Sequence, residues 1–168
     1  EHLFSQNDKS VKKYFFFRDT FGREDNVITI IYKPIDHLEK KIYPELEELV
    51  FEIEELSGVK NVLSIFTLTD IDQKAWLGDF YNPDFYWNED TILKKLQHIQ
   101  SDPSIGNRIL SDNLQYGAII ITVSDSANNH QTRTSLIEKI KLLTAKTSPE
   151  WIYSGVSVLR TEYVKYML

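Results

Sequence analysis

The sequence predicts an α+β fold: a four-stranded antiparallel sheet with two helices on one face, in the split βαβ (βαββαβ) order of ferredoxin-like domains. Three observations predict it. Two runs, VITIIY at 27–32 and YGAIIITV at 116–123, are almost wholly β-branched or aromatic and read as buried strands. Two later stretches, 44–56 and 134–145, repeat their apolar residues with the period of a helix, one after each of those strands. A weaker strand signal follows each helix, which gives strand, helix, strand, insertion, strand, helix, strand. The first and third strands are central in this topology, and they are the two most continuous apolar runs. The chirality rule makes both βαβ crossovers right-handed.

Each element has its own signal. Asp8 caps a helix that reaches Phe21, with Val11, Tyr14, Phe15 and Phe21 near one face and Gly22 as its stop. After the strand at 27–32, Pro34 bars further growth as a central strand. Pro44 suits a first helical turn, and Leu46, Leu49, Val50, Ile53 and Leu56 share one face until Gly58 ends the helix. A strand over 59–68 follows, broken by Lys60, Asn61 and Ser64 and so expected near an edge. The insertion carries an aromatic segment at 76–87 and a helix at 90–100 with Ile92, Leu93, Leu96 and Ile99 on one face.

In the strand at 116–123 the mid-run residue Ile120 is expected in the core, where a carboxylate would unfold the domain. The helix at 134–145 presents Leu136, Ile137, Ile140 and Leu143, and 151–153 begins the last strand before Gly155. From Val156 a helical rhythm continues through Leu159, Tyr163, Tyr166 and Met167 with no capping glycine, the pattern of a helix that runs on. The expected organisation is a single domain over 1–168. It divides into a lead-in helix (1–25), a first βαβ half (26–68), the insertion (69–113), a second half (114–157) and an exit helix (158–168).

Composition narrows the function classes. With 42% hydrophobic and 26% charged residues, a chain of this size buries roughly two-thirds of the surface its unfolded form exposes. The net charge is -6, and the basic pairs Lys12-Lys13 and Lys40-Lys41 are isolated, so nucleic acid is not an expected partner. Without cysteine there is no disulfide, thiolate metal site or thiol nucleophile. The sequence has no basic-then-apolar leader and no apolar run near the ~18 residues of a membrane helix.

His2, His37, His98 and His130 are scattered, with no i, i+4 pair beside a carboxylate, and read as surface histidines. Glu45, Glu47, Glu48, Glu52, Glu54 and Glu55 surround an apolar stripe without the spacing of a calcium loop, and read as a solvated face. Asp70, Asp72, Asp79 and Asp84 would chelate a cation only if their loop folded back, and read as turn and cap residues. No serine occupies a Gly-x-Ser-x-Gly elbow, and the glycines are isolated, so no phosphate-cradling loop occurs. Arg23 and Asn26 stand at the wrong end of the first strand for an acylphosphatase loop. The expectation is no catalytic residue, no cofactor, no metal and no enzymatic activity.

The segment 76–87 (WLGDFYNPDFYW) is the candidate site. Six of its twelve residues are aromatic: Trp76, Phe80, Tyr81, Phe85, Tyr86 and Trp87. Gly78 and Pro83 deny it a regular helix or central strand. Its rings either fold inward over an end of the sheet or form a hydrophobic contact for a ligand, a partner domain or a headgroup region.

Four stretches taken in order carry a family resemblance: YFFFRDTFGREDNVITIIY at 14–32, LSGVKNVLSIFTL at 56–68, DPSIGNRILSDNLQYGAIIITV at 102–123, and 151–168 with its Gly155-x-x-x-Leu159 step. Together they resemble the first extracytoplasmic loop of resistance-nodulation-division (RND) exporters of the MMPL type. The resemblance implies a porter domain on the periplasmic side of the membrane. Such a domain guides hydrophobic or lipid cargo beside a second porter domain and the membrane helices of the same polypeptide. In the family, acidic residues within those helices couple transport to protons, so a lone loop would bind or guide without transporting. The alternative is a free-standing ferredoxin-like ligand-binding or protein-interaction domain.

Overall fold

A computed structural model describes residues 25–33, 42–68 and 89–167, with Lys13 and Phe16 helical ahead of them. The rest of the expected lead-in helix, the aromatic segment 76–87 and Asp70, Asp72, Asp79 and Asp84 lie outside the described residues. In chain order the elements are β1 (Val27–Lys33), α1 (Ile42–Glu54), β2 (Val59–Leu63), α2 (Glu89–Gln100), α3 (Gly106–Ile109), β3 (Gly117–Val123), α4 (His130–Thr144), β4 (Glu150–Ser154) and α5 (Val156–Met167).

The strands form one antiparallel sheet in the order β2-β3-β1-β4. That is the ferredoxin-like order, with β1 and β3 central. The side-chain period of two then sorts each strand. Ile28, Ile30 and Tyr32 of β1 and Ile119, Ile121 and Val123 of β3 point into the core. There they meet Leu46, Leu49, Val50 and Ile53 of α1 and Leu136, Ile137 and Ile140 of α4. The two helices also contact each other, which places both on this one face.

Two glycines fix the joints. Gly117 lies opposite Tyr32, and a Cβ there would come within 2.2 Å of the buried phenol ring. Gly155, between β4 and α5, has φ +106, which L side chains rarely adopt.

Several boundaries and faces depart from the sequence expectation. β2 ends at Leu63 instead of continuing to 68. Beyond it the Thr67 hydroxyl accepts from the Ser64 amide at 2.8 Å, and the Ser64 hydroxyl accepts from the Phe66 amide at 3.1 Å. Side chains that capture local amides offer the backbone a turn in place of a ladder. α4 starts at His130 rather than 134, because Asn129 caps it by accepting from the Thr132 amide at 3.1 Å. Glu47 does not belong to a solvated face; it is buried, while Glu48, Glu52, Glu54 and Glu55 are exposed. Ile120 is only half-buried and faces away from the helices, since its neighbours Ile119 and Ile121 take the core side.

α5 follows the helical rhythm expected from Val156 onward. Its regularly spaced apolar residues Val156, Leu159, Tyr163 and Met167 face solvent, and Ser157, Val158 and Thr161 are buried on the other side.

Candidate functional site

The outward face of the sheet is built from residues that the period of two sends away from the helices. Cross-strand register makes rows of them: Leu63, Ile120 and Thr29 side by side, then Ala118, Ile31 and Ile152. Val27, Thr29, Ile31, Ala118, Ile120, Thr122 and Leu63 are half-buried, and Ile152 is 51% exposed. An antiparallel sheet with one solvated face ordinarily alternates apolar with polar residues. Here the centre of the outward face is aliphatic, interspersed with the hydroxyls of Thr29, Thr122 and Ser154 and, on β2, the exposed side chain of Asn61 beside Thr122.

Charge is confined to its margin. Lys33 and Glu150 are register partners at one corner, and the Lys33 ammonium lies 5.5 Å from the Tyr116 ring centroid. At the opposite corner the Asn26 amide donates to the Val123 carbonyl at 2.9 Å, while the Val123 amide donates to the Asn26 carbonyl at 2.8 Å. Asn26 is thereby committed to prolonging the β1–β3 ladder.

Around the corner from Ile152, α5 adds a second apolar surface. Leu159 is 68%, Tyr163 64% and Met167 70% exposed. Residues at 156, 159, 163 and 167 repeat at intervals of three and four and so share one side of the helix. Polar ties on its flanks hold the helix down. The Ser157 hydroxyl donates to the Asp25 carbonyl at 3.1 Å, Arg160 pairs with Asp25 at 2.8 Å, and Lys141 of α4 donates to Glu162 at 3.3 Å.

The described titratable groups do not converge on either surface. His98 is exposed on α2, and His130 sits half-buried in the first turn of α4. Among the described residues, no group of three or more His, Asp or Glu could hold a metal ion. Tyr32 is pushed far above the ordinary phenol range, first by burial and then by nearby Tyr43, so it stays protonated on the core side. What these surfaces offer is van der Waals and hydrophobic contact to an apolar partner.

The sequence-predicted site, Trp76, Phe80, Tyr81, Phe85, Tyr86 and Trp87, lies wholly outside the described residues. Sequence reasoning missed Ile31, Ile120, Ala118 and Ile152 as surface groups. The signal was present: a run such as AIIITV, apolar at every step, supplies aliphatic side chains to both faces of any strand it forms. Compared with known proteins, the chain matches no protein-family model and no curated protein.

Proposed function

We propose that this chain is a non-catalytic extracytoplasmic porter domain of an RND-type exporter of the MMPL branch, and that the outward face of its sheet is a contact surface for hydrophobic or lipid-like cargo. The observation that carries the proposal is the sheet with aliphatic side chains on both faces. Only one face is used by α1 and α4, so the other is left with apolar area suited to a hydrophobic partner. The order of motifs from 14–32 to 151–168 and the ferredoxin-like topology agree with that assignment. The aromatic residues of 76–87 are proposed as a second contact for the same cargo. Among the described residues no helix is long and apolar enough to cross a membrane, so the proton-coupled work falls to membrane helices elsewhere in the polypeptide.

The test has two parts. The parent coding sequence should show an apolar span of ~20 residues ahead of Glu1 and a cluster of such spans beyond Leu168; without them the exporter assignment fails. In the full-length protein, Ile31→Ser with Ile120→Ser should reduce cargo export while the melting temperature of the domain changes little, and so should Phe80→Ala with Tyr81→Ala. Undiminished export in both variants would remove the cargo surface. If the flanking spans are missing but an apolar probe still binds and is lost with Ile120→Ser, the free-standing ferredoxin-like binding domain is the correct assignment.

A further inference from the structure

The sheet has two edges, and only one is defended against further pairing. β2 carries Lys60 and a bulge between Val59 and Asn61, two devices that keep an edge from adding a strand. β4 carries neither. Its five residues pair with β1 in unbroken register, from Lys33↔Glu150 to Thr29↔Ser154. Among the described residues no backbone hydrogen bond reaches β4 except from β1. Every second residue of β4 therefore turns its N–H and C=O outward, as a template for another strand. We propose that β4 pairs antiparallel with β4 of a second copy of this chain, across a two-fold axis at Ile152, joining two four-stranded sheets into one.

The strand selects this occupant because it is complementary to itself. An isologous contact sets residue i against j and j against i, and an axis at Ile152 is the one position that pairs all of β4 with itself. It sets Glu150 against Ser154, Trp151 against Tyr153 and Ile152 against Ile152 of the second copy. No like charges meet, and the Glu150 carboxylate faces a hydroxyl that can donate to it. Trp151 and Tyr153 make an aromatic cross-strand pair, one of the stabilising kinds. Both rings are held in place for it: the Trp151 indole donates to the Thr147 hydroxyl at 3.0 Å, and the Tyr153 and Thr144 hydroxyls share a hydrogen bond of 2.5 Å. Ile152, 51% exposed in the single chain, is covered by its own counterpart, and the outward aliphatic faces of the two sheets meet there. Either phase of the ladder allows this register, because the axis can fall on a hydrogen-bonded or a non-hydrogen-bonded pair. Pro149 has no N–H to offer, so the ladder ends at Glu150.

The chain has no cysteine, so one introduced thiol reports on the axis. Opposed residues of an antiparallel pair have Cα atoms about 4.5 or 5.5 Å apart, within reach of a disulfide. Under mild oxidation Ile152→Cys should give a disulfide dimer in most of the chain. Asn61→Cys on the β2 edge and Leu159→Cys on α5 should each give at least tenfold less. By light scattering at high micromolar concentration the parent should have twice the mass of the 19.7 kDa chain. Ile152→Lys, which opposes two ammonium groups at the axis, should halve that mass. A monomeric parent would overturn the proposal, as would a dimeric Ile152→Lys variant or equal yields from position 152 and either control. Should Ile152→Lys melt abnormally, the parent's mass and the three yields still decide. None of these measurements reads cargo export, so the pairing stands or falls apart from the porter assignment.

Discussion

α4 and α5 are consecutive helices joined by one strand, and both repeat their apolar residues with helical period, yet they use them in opposite senses. In α4 the periodic residues Leu136, Ile137 and Ile140 are buried against the sheet. In α5 the periodic residues are on the outside, and the inner side is made of Ser157, Val158 and Thr161. Hydrophobic periodicity therefore identifies a helix and its stripe, but not the body that the stripe packs on. For α4 the body is the domain's own sheet. For α5 the fold is satisfied through hydroxyls and ion pairs, and the stripe is left for something else.

The same contrast occurs within β3, and it gives the largest expected effect. Ile121 is fully buried, whereas Ile120 is half-buried on the other face. Ile121→Asp should unfold the domain, because an unpaired buried carboxylate costs several kcal/mol against a total stability of about 5–15 kcal/mol. Ile120→Asp should cost about 1 kcal/mol and leave a cooperative melt. Equal losses from the two variants would mean that the outward face is core after all.

The helices offer the next comparison. Ile140→Ala removes a fully buried side chain and should cost roughly 2–5 kcal/mol by denaturant melting. Leu159→Ala should cost about 1 kcal/mol, the loss of a contact made only on one side. A Leu159 penalty as large as that of Ile140 would place α5's stripe inside the domain's own core.

Most of the topology was legible because β1, β3, α1 and α4 are each long enough for their period to show, and because the strand order follows from which runs are most apolar. The edge position of β2 was legible from Lys60 and Asn61. Its end was not, since Ser64 and Thr67 act through hydroxyl bonds that no hydropathy pattern records. Ile120 was misplaced for a related reason: in a run apolar at every step, composition gives no phase, and only the register Leu63, Ile120, Thr29 decides which side it takes. Glu47 and Arg133, both buried, are charged types that sequence reasoning assigns to the surface by default. The candidate site was least legible, because the outward apolar face of the sheet uses ordinary aliphatic residues, while the aromatic segment that stood out in composition falls outside the described residues.

A third comparison sharpens the role of α5's inner face. By hydropathy alone, Ser157→Leu improves the helix, adding an apolar residue to a side that already holds Val158. Ser157 is fully buried, however, and its hydroxyl donates to the Asp25 carbonyl. The larger side chain should overpack the joint and release that carbonyl, lowering stability by about 1–3 kcal/mol. Stabilisation instead would show that α5 can turn its apolar side inward.

The smallest effect follows from how α5 is tied down. Glu162 accepts from Lys141 of α4 at 3.3 Å and lies 3.7 Å from Lys165. The hydrogen bond from Lys141, then the charge of Lys141 and that of Lys165, hold its carboxyl below the ordinary glutamate range. A carboxyl depressed in the folded state binds fewer protons there than in the unfolded chain. Its contribution is therefore complete above the unfolded value and lost as pH falls through the folded one. Glu162→Gln should accordingly lie slightly below the parent in stability at neutral pH, with the gap closing on acidification past the normal carboxylate range and shrinking in high salt. The same titration on α4's buried stripe, using Ile140→Val, should show a gap that changes with neither. If the Glu162 gap ignores pH and salt as the Ile140 gap does, α5 is not held by charge, and the contrast between the two helices loses its electrostatic half.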